Sequence, residues 1–195
     1  MKVVGITGGI GSGKSTVAFI LEERFHAYLI YTDKIAHMLM RKGMISYNLI
    51  VDYFGEQVLD TDGEIDRKIL GSIVYQDPAK LIHLNSLTHP YVMDYVKNLI
   101  KTKQEENTQL ICVETALPIE AGLKEFCDEI WYVYAPEDIR RERLQKSRNL
   151  SIEKLNDIFN KQISDKLYRE ISTHIIENDS ANEKIIRQIE ILLEK

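Results

Sequence analysis

Gly8-Gly9-Ile10-Gly11-Ser12-Gly13-Lys14-Ser15-Thr16 is the stretch that decides the fold of this chain. It follows a short apolar segment, residues 3–6, and precedes a helical pattern over residues 17–25. A strand, the pattern G-x-x-x-x-G-K-[ST] and a helix in this order are typical of a phosphate-binding loop. Glycines let successive N–H groups turn toward one anion, and the helix adds its positive end. The stretch therefore predicts a site for nucleotide phosphates, with Lys14 on the outer phosphates and Ser15 on the Mg²⁺ that bridges them.

Composition and charge limit the kind of protein that carries this loop. The chain has 195 residues, a hydrophobic fraction of 44% and a net charge of −5, which fits one domain with room for inserted subdomains. The negative charge argues against non-specific nucleic-acid binding, which draws on excess Lys and Arg. Cys112 and Cys127 lack metal-ligand spacing, and the sequence has neither a signal-peptide layout nor an apolar run long enough for a bilayer. We expect a cytoplasmic protein without a membrane or nucleic-acid partner.

Five short apolar segments alternate with helical patterns along the chain. This alternation is typical of a parallel sheet with helices on both faces, so the predicted fold class is α/β. The gap between the second and third segments is long and carries repeated helical stripes, which indicates a helical insertion beside the ligand-binding edge of the sheet. Residues 101–108 are polar, and we expect a surface loop there. The predicted strands are residues 3–6, 28–31, 110–113, 129–134 and 174–176.

Other classes of nucleotide-binding protein fit the chain poorly. The guanine-reading pattern N-K-x-D of a GTPase fails at Ile163, and the D-x-x-G match at residues 60–63 lies in a polar turn rather than after a strand. Motor and remodelling ATPases usually carry an acidic pair after an apolar strand, but the third predicted strand is followed by a lone Glu114. Small-molecule kinases fit the size and the single sheet best.

Two carboxylates are candidates for the chemistry of a kinase. Asp33 follows the second predicted strand, where a carboxylate can orient or deprotonate the acceptor hydroxyl. Asp is also a good N-cap, so Asp33 could instead begin a helix over residues 34–40. Glu114 could hold Mg²⁺ through water, or it could be a plain carboxylate at the end of a strand.

Four arginines crowd the helical pattern after the fourth predicted strand: Arg140, Arg141, Arg143 and Arg148. Positioned guanidinium groups stabilise the negative charge of phosphoryl transfer. The alternative is a solvated helix face on which Glu137 and Glu142 are the partners of these arginines. Arg141 and Arg148 lie two turns apart on one face and Arg143 points elsewhere, so the four cannot all act together.

The chain resembles the dephospho-CoA kinase family over nearly its whole length. The stretch from Gly5 to Thr16 is similar to the start of that family almost letter for letter, and Asp33-Lys34-Ile35-Ala36-His37 resembles the second half of its D-x-D-x-I-A motif. Weaker matches follow in the family's order. They are Phe54-Gly55, Asp62-Gly63-Glu64-Ile65-Asp66-Arg67, Leu70, His89-Pro90 at the head of a helix, Glu120, Arg143-Leu144 with Arg148, Gln162 and Asn178.

The resemblance implies ATP-dependent phosphorylation of the ribose 3′-hydroxyl of dephospho-CoA, with Mg²⁺. It implies that Asp33 is the base, that Lys14 and Arg143 share in catalysis, and that Arg143 and Arg148 close over the phosphates. Asn178 is expected near the adenine of ATP. The residues implied on the acceptor side are Arg67, His89, Pro90 and Glu120. Two of these keep another interpretation, since His89 could cap a helix at Pro90 and Arg67 could pair with Asp62 or Asp66.

The chain departs from the family's pattern in a few places. Tyr31 stands where the family has the first Asp of D-x-D, so Asp33 is the one carboxylate left at that strand. The proline of the P-L-L-x-E segment is displaced to Pro118, which changes the backbone restraint before Glu120. Ser172-Thr173 replaces a common Ala-Asp pair. A nucleoside or nucleotide kinase on the same scaffold, or an ATP-binding regulatory protein without turnover, are the competing hypotheses.

The resemblance also predicts how the chain is divided. We expect a nucleotide-binding core of residues 1–33, 109–139 and 172–195, a helical acceptor-binding insertion of residues 34–108, and a helical lid of residues 140–171. We expect a monomer or a weak homo-oligomer.

Overall fold

Five parallel strands form the sheet of this protein, and their order is β2-β3-β1-β4-β5. The computed structural model describes residues 1–118, 122–148, 151–179 and 182–194, the side chain of Arg148 excepted. The predicted α/β fold is confirmed, and each predicted strand is found with its ends shifted by at most one residue. The strands are β1 (Lys2–Thr7), β2 (Tyr28–Tyr31), β3 (Leu110–Glu114), β4 (Glu129–Tyr134) and β5 (His174–Glu177).

Helices connect the strands and follow the last one. Short 3₁₀ turns lie at Glu56–Val58 and Leu123–Glu125. The helices are α1 (Lys14–Phe25), α2 (Thr32–Leu39), α3 (Ile45–Phe54), α4 (Arg67–Gln76), α5 (Pro78–Glu105), α6 (Glu137–Arg148), α7 (Ile152–Lys161), α8 (Asp165–Ile171) and α9 (Asn182–Leu193).

The chain divides into two compact units. The first consists of residues 1–30 and 103–195, and its centre is β1 between β3 and β4. In parallel register, Ile6 lies beside Glu114 on one side and beside Trp131 on the other. These central strands are continuous apolar runs because both of their faces are covered, and Trp131 is fully buried.

The second unit, residues 31–102, has a core of its own. An isolated bridge between Leu59 and Ile65 closes the polar turn over residues 60–63. Asp66 then caps α4, since its carboxylate accepts hydrogen bonds from the N–H groups of Lys68 and Ile69. The core side chains are Tyr47, Ile50, Phe54, Val58, Ile65, Leu70 and Val74.

Two local predictions are wrong. Residues 101–105 continue α5, so the expected surface loop is confined to the residues after Glu105. The pair His89-Pro90 lies inside α5 rather than at the head of a helix. A buried stripe of Val92, Val96 and Ile100 keeps the helix going past Pro90, which removes only one N–H donor.

The N-cap interpretation of Asp33 is also wrong. The structure begins α2 at Thr32 with Tyr31 at the N-cap position, which places Asp33 inside the first turn. A carboxylate there still interacts favourably with the positive end of the helix. The exposed Asp33 side chain is therefore not the N-cap of α2. Capping no longer stands as an alternative to the predicted role of Asp33 as a base.

Candidate active site

The phosphate-binding loop has the backbone that its glycines permit. Gly13 adopts the left-handed conformation, with φ 92° and ψ 28°, directly before α1. A Cβ on Gly8 would lie 2.5 Å from the carbonyl oxygen of Val133 at the end of β4. Glycine is therefore required at Gly13 for its conformation and at Gly8 for its close approach to β4. The first turn of α1 carries no acidic residue, which leaves its positive end available to an anion.

Lys14 and Ser15 are the first two residues of α1. The Lys14 ammonium donates hydrogen bonds to the carbonyl oxygens of Gly8, at 2.8 Å, and Gly9, at 3.4 Å. Its charge thus lies against the loop that is expected to hold the phosphates. The Ser15 side chain is exposed, so its hydroxyl is accessible to a ligand.

Glu114 ends β3 beside the strand that leads into the loop. Its register partner is Ile6, two residues before Gly8, and its side chain is half-buried. The carboxylate therefore lies at the same edge of the sheet as the phosphate-binding loop.

Asn178 braces the loop from the end of β5. Its side chain is buried, and its amide nitrogen donates to the carbonyl oxygen of Ser12 at 2.7 Å. Its own main-chain N–H donates to the carbonyl oxygen of Tyr134 at 2.7 Å, which ties the residue to the end of β4. A Cβ on Gly13 would lie 2.0 Å from the same amide nitrogen, so Asn178 and glycine at this position fit each other.

Arg143 extends this brace from α6. One of its terminal nitrogens donates to the main-chain oxygen of Asn178 at 3.0 Å and to the side-chain oxygen at 3.3 Å. The other donates to the carbonyl oxygens of Gly11 and Ser12, both at 3.4 Å. The guanidinium predicted to close over the phosphates is thus engaged with the loop backbone and with Asn178.

Arg140 and Gln162 lie against the loop at Gly9. A Cβ on Gly9 would lie 2.1 Å from an Arg140 terminal nitrogen and 2.6 Å from the Gln162 side-chain oxygen. The two side chains are joined by a hydrogen bond of 3.2 Å. The sequence places Arg140 in the cluster of candidate arginines after β4 and Gln162 among the matches with the family, but it does not predict that the two meet at Gly9.

Arg141 lies on a helix face with acidic and polar partners, as the alternative interpretation of the arginine cluster predicts. Its guanidinium pairs with Glu137 at 2.7 Å, one helical turn away, and donates to the Asn156 side-chain oxygen at 2.9 Å. It also lies 4.5 Å from the centre of the Phe159 ring. Arg141 is therefore a partner of neighbouring helical residues.

In the second unit, Asp33 has charged neighbours. His37 lies one helical turn after Asp33, and desolvation together with the Arg67 guanidinium lowers the pKa of His37 despite the opposing charge of Asp33. Arg67 and Asp33 therefore both lie close enough to His37 to act on it. The Lys34 ammonium lies 3.8 Å from the centre of the Tyr31 ring, the residue that departs from the family's pattern.

The structure shows fewer contacts for the residues predicted on the acceptor side and for Arg148. His89 is half-buried and Pro90 exposed in the middle of α5. Asp66 uses its carboxylate to cap α4, while the charge of its neighbour Arg67 acts on His37. Glu120 and the side chain of Arg148 lie outside the described residues.

A parallel sheet with this loop between its central strand and α1 defines a nucleotide-binding kinase of the P-loop class. Comparison with known proteins gives the family. The sequence model of the family described as dephospho-CoA kinase matches residues 2–184. The chain belongs to the dephospho-CoA kinase family, which makes it an ATP-dependent kinase and confirms both the resemblance and the predicted enzyme class.

Individual relatives agree with this assignment. A dephospho-CoA kinase of Dehalococcoides mccartyi is 35% identical over 193 residues, which cover 98% of this chain and 96% of that protein. A solved dephospho-CoA kinase of Campylobacter jejuni is 25% identical with a TM-score of 0.73, covering 100% of this chain and 97% of the other. A solved Thermus thermophilus protein is 27% identical with a TM-score of 0.83, covering 99% and 96%.

Among the described residues, no helix is both long enough and apolar enough to cross a bilayer.

Proposed function

We propose that this protein transfers the γ-phosphate of ATP to the ribose 3′-hydroxyl of dephospho-CoA, giving CoA and ADP. The observation that carries the proposal is the phosphate-binding loop, with Lys14 at its end, in a chain that belongs to the dephospho-CoA kinase family. The survival of Lys14, Ser15 and Asp33 supports turnover over mere nucleotide sensing.

Asp33 is the proposed base. Its carboxylate accepts the proton of the 3′-hydroxyl as that oxygen attacks the γ-phosphorus, and the bond from that phosphorus to the bridging oxygen of ADP breaks. Lys14 and Arg143 stabilise the charge that spreads over the phosphoryl oxygens. We assign the adenine end of ATP to Asn178 and a closing position over the phosphates to Arg148. The acceptor side is assigned to Arg67, His89, Pro90 and Glu120.

Mg²⁺ is the proposed metal, and the residues of the first unit fit it. Mg²⁺ prefers oxygen ligands, keeps several waters and usually takes only one or two protein oxygens beside substrate phosphates. The exposed Ser15 hydroxyl would be a direct ligand, and the half-exposed Glu114 carboxylate would act through water. When bound, the ion supplies positive charge that neutralises the β- and γ-phosphate oxygens.

We further propose that residues 34–108 bind the acceptor, that residues 140–171 act as a lid, and that the core consists of residues 1–33, 109–139 and 172–195. The compact unit of residues 31–102 supports a separate insertion. The contacts of Arg140 and Arg143 with the loop support a lid that starts in α6. We also propose a cytoplasmic protein that is a monomer or weak homo-oligomer. The net charge of −5 supports the absence of a nucleic-acid partner.

A coupled assay of ADP release over a panel of acceptors tests the proposal. We expect release with dephospho-CoA and none with AMP, CMP or a nucleoside, and a product heavier by one phosphoryl group in mass spectrometry. Dephospho-CoA without its 3′-hydroxyl is the matched control and should give no release. Release with AMP, CMP or a nucleoside alone would favour the nucleotide kinase, and ATP binding without release on any acceptor would favour the regulatory protein.

A further inference from the structure

Arg140 lies where the first turn of α6 meets the phosphate-binding loop. Its main-chain N–H bonds to the carbonyl oxygen of Pro136 at 3.0 Å, so the helix itself fixes its backbone. Its own carbonyl oxygen would lie 2.9 Å from a Cβ on Gly11, and a terminal nitrogen 2.1 Å from one on Gly9. Both ends of the residue therefore touch the loop, and the guanidinium rests directly on Gly9.

The guanidinium of Arg140 lacks a full set of partners. One terminal nitrogen bonds to the neutral side-chain oxygen of Gln162 at 3.2 Å, while Nε is buried with no hydrogen-bond partner in the described part of the chain. Within those same residues, no carboxylate lies within 4.0 Å of its nitrogens. The Asp165 carboxylate is bonded by Arg169 at 2.7 Å and by the Tyr132 hydroxyl at 2.9 Å. Burial opposes it, but these bonds and, at longer range, the charge of Arg140 lower the pKa of Asp165, so Arg140 has an anionic neighbour without a direct bond to it.

A half-buried guanidinium whose buried Nε has no hydrogen-bond partner gains from a ligand that brings an anionic acceptor. The loop beside Arg140 is the predicted phosphate site, where main-chain N–H groups and the positive end of α1 favour an anion. Arg143, by contrast, donates hydrogen bonds from its terminal nitrogens to main-chain carbonyl oxygens and to Asn178. Among the arginine side chains described at this loop, Arg140 thus has a donor that no protein group accepts, and it can act beside Arg143 on the phosphates.

We propose that Arg140 is a phosphate-binding residue of this enzyme. Its guanidinium contacts phosphate oxygens of the nucleotide held by the loop. Before the nucleotide binds, the hydrogen bond to Gln162 keeps the side chain over Gly9. The Phe159 ring, 4.6 Å from the guanidinium carbon, supports the same orientation. The inference rests on the proposed function only in taking ATP as that nucleotide.

Binding of ATP and of adenosine, without any acceptor, tests the role of Arg140. A charged hydrogen-bonding group contributes about ten- to hundredfold to affinity, so Arg140→Gln should weaken ATP binding at least about tenfold and change adenosine binding less than about twofold. Arg140→Lys keeps the charge but loses the planar donors, so its affinity for ATP should lie between those of the wild type and of Arg140→Gln. Arg141→Gln is the matched control because it removes the neighbouring charge, and it should change neither affinity more than about twofold.

Equal losses for ATP and adenosine would assign Arg140 a merely structural role, and an unchanged ATP affinity in Arg140→Gln would overturn the proposal outright. Should Arg140→Gln fail to fold, Arg140→Lys decides by the same comparison of the two ligands. The acceptor does not enter this experiment. If dephospho-CoA gives no ADP release but Arg140→Gln weakens ATP binding selectively, only the assignment of dephospho-CoA is refuted. If dephospho-CoA gives ADP release but Arg140→Gln leaves ATP binding unchanged, only the role of Arg140 is refuted.

Discussion

Asn178→Ala removes the buried amide that braces the phosphate-binding loop. The wild-type amide nitrogen donates to the Ser12 carbonyl oxygen at 2.7 Å, and its side-chain oxygen accepts from Arg143 at 3.3 Å. In the variant the Ser12 carbonyl loses this donor and keeps only the longer hydrogen bond from Arg143 at 3.4 Å, a loss that costs about 1–3 kcal/mol at a buried residue. Arg143 keeps the main-chain oxygen of residue 178 as an acceptor at 3.0 Å. We therefore expect the free energy of unfolding to fall by about 2 kcal/mol.

Urea unfolding followed by tryptophan fluorescence measures this loss. Trp131 is the sole tryptophan of the chain and is fully buried in β4, in the same compact unit as Asn178. Its signal therefore reports the unfolding of the unit that contains the loop. The slope of the free energy against urea should stay unchanged, because the variant exposes no additional surface on unfolding.

Asn156→Ala is the matched control for this experiment. Asn156 also bonds to an arginine, Arg141, at 2.9 Å, but its side chain is exposed. Its replacement should change the free energy of unfolding by less than about 0.5 kcal/mol. An Asn178→Ala protein as stable as this control, with the same slope, would refute the reasoning that the amide braces the loop.

Three further variants address chemistry and pH. Asp33→Asn should retain ATP binding but lose at least about a hundredfold in turnover, as for a missing general base, whereas Lys14→Ala should impair nucleotide binding or turnover broadly; near-normal turnover in Asp33→Asn would remove Asp33 from the mechanism. Partial burial raises the pKa of Glu129, but hydrogen bonds from Lys2 and Trp131 outweigh it and hold that pKa below its ordinary 4.5. Stability from this lowered pKa is present above pH 4.5 and lost as the pH falls through the folded value. Urea titrations should therefore show the stability difference between wild type and Glu129→Gln shrinking below that pH, and a difference that stays constant would contradict this account.

The parts of the fold that the sequence predicts are those encoded locally. The pattern from Gly8 to Thr16 has one backbone solution, and buried parallel strands are apolar on both faces, so both can be found without knowing their neighbours. Residues 101–105 show the limit of local patterns. Their polar composition favours a loop, but the buried stripe that ends at Ile100 keeps them in α5.

The partners of each side chain are the part that the sequence does not give. Arg140, Arg141 and Arg143 are neighbours in a single cluster, and spacing shows only that they face different ways. Their different contacts depend on Gln162, on Glu137 with Asn156, and on Asn178, because residues far apart along the chain meet only when the sheet forms. The capping error at Asp33 is smaller. The helix α2 begins at Thr32 rather than at residue 34, which moves Asp33 from the predicted N-cap position into the first turn.

The hydrogen bond between Asn178 and Ser12 has a consequence for the protein during its synthesis on the ribosome. It joins residues separated by 166 positions, so the loop is synthesised long before its brace. Contacts of such separation form late, because a long segment of chain must be ordered before they form. A nascent chain that has exposed Ser12 but not yet Asn178 therefore carries its loop without this brace. The ability to hold a nucleotide firmly should arise only after Asn178 has been synthesised and has reached the loop.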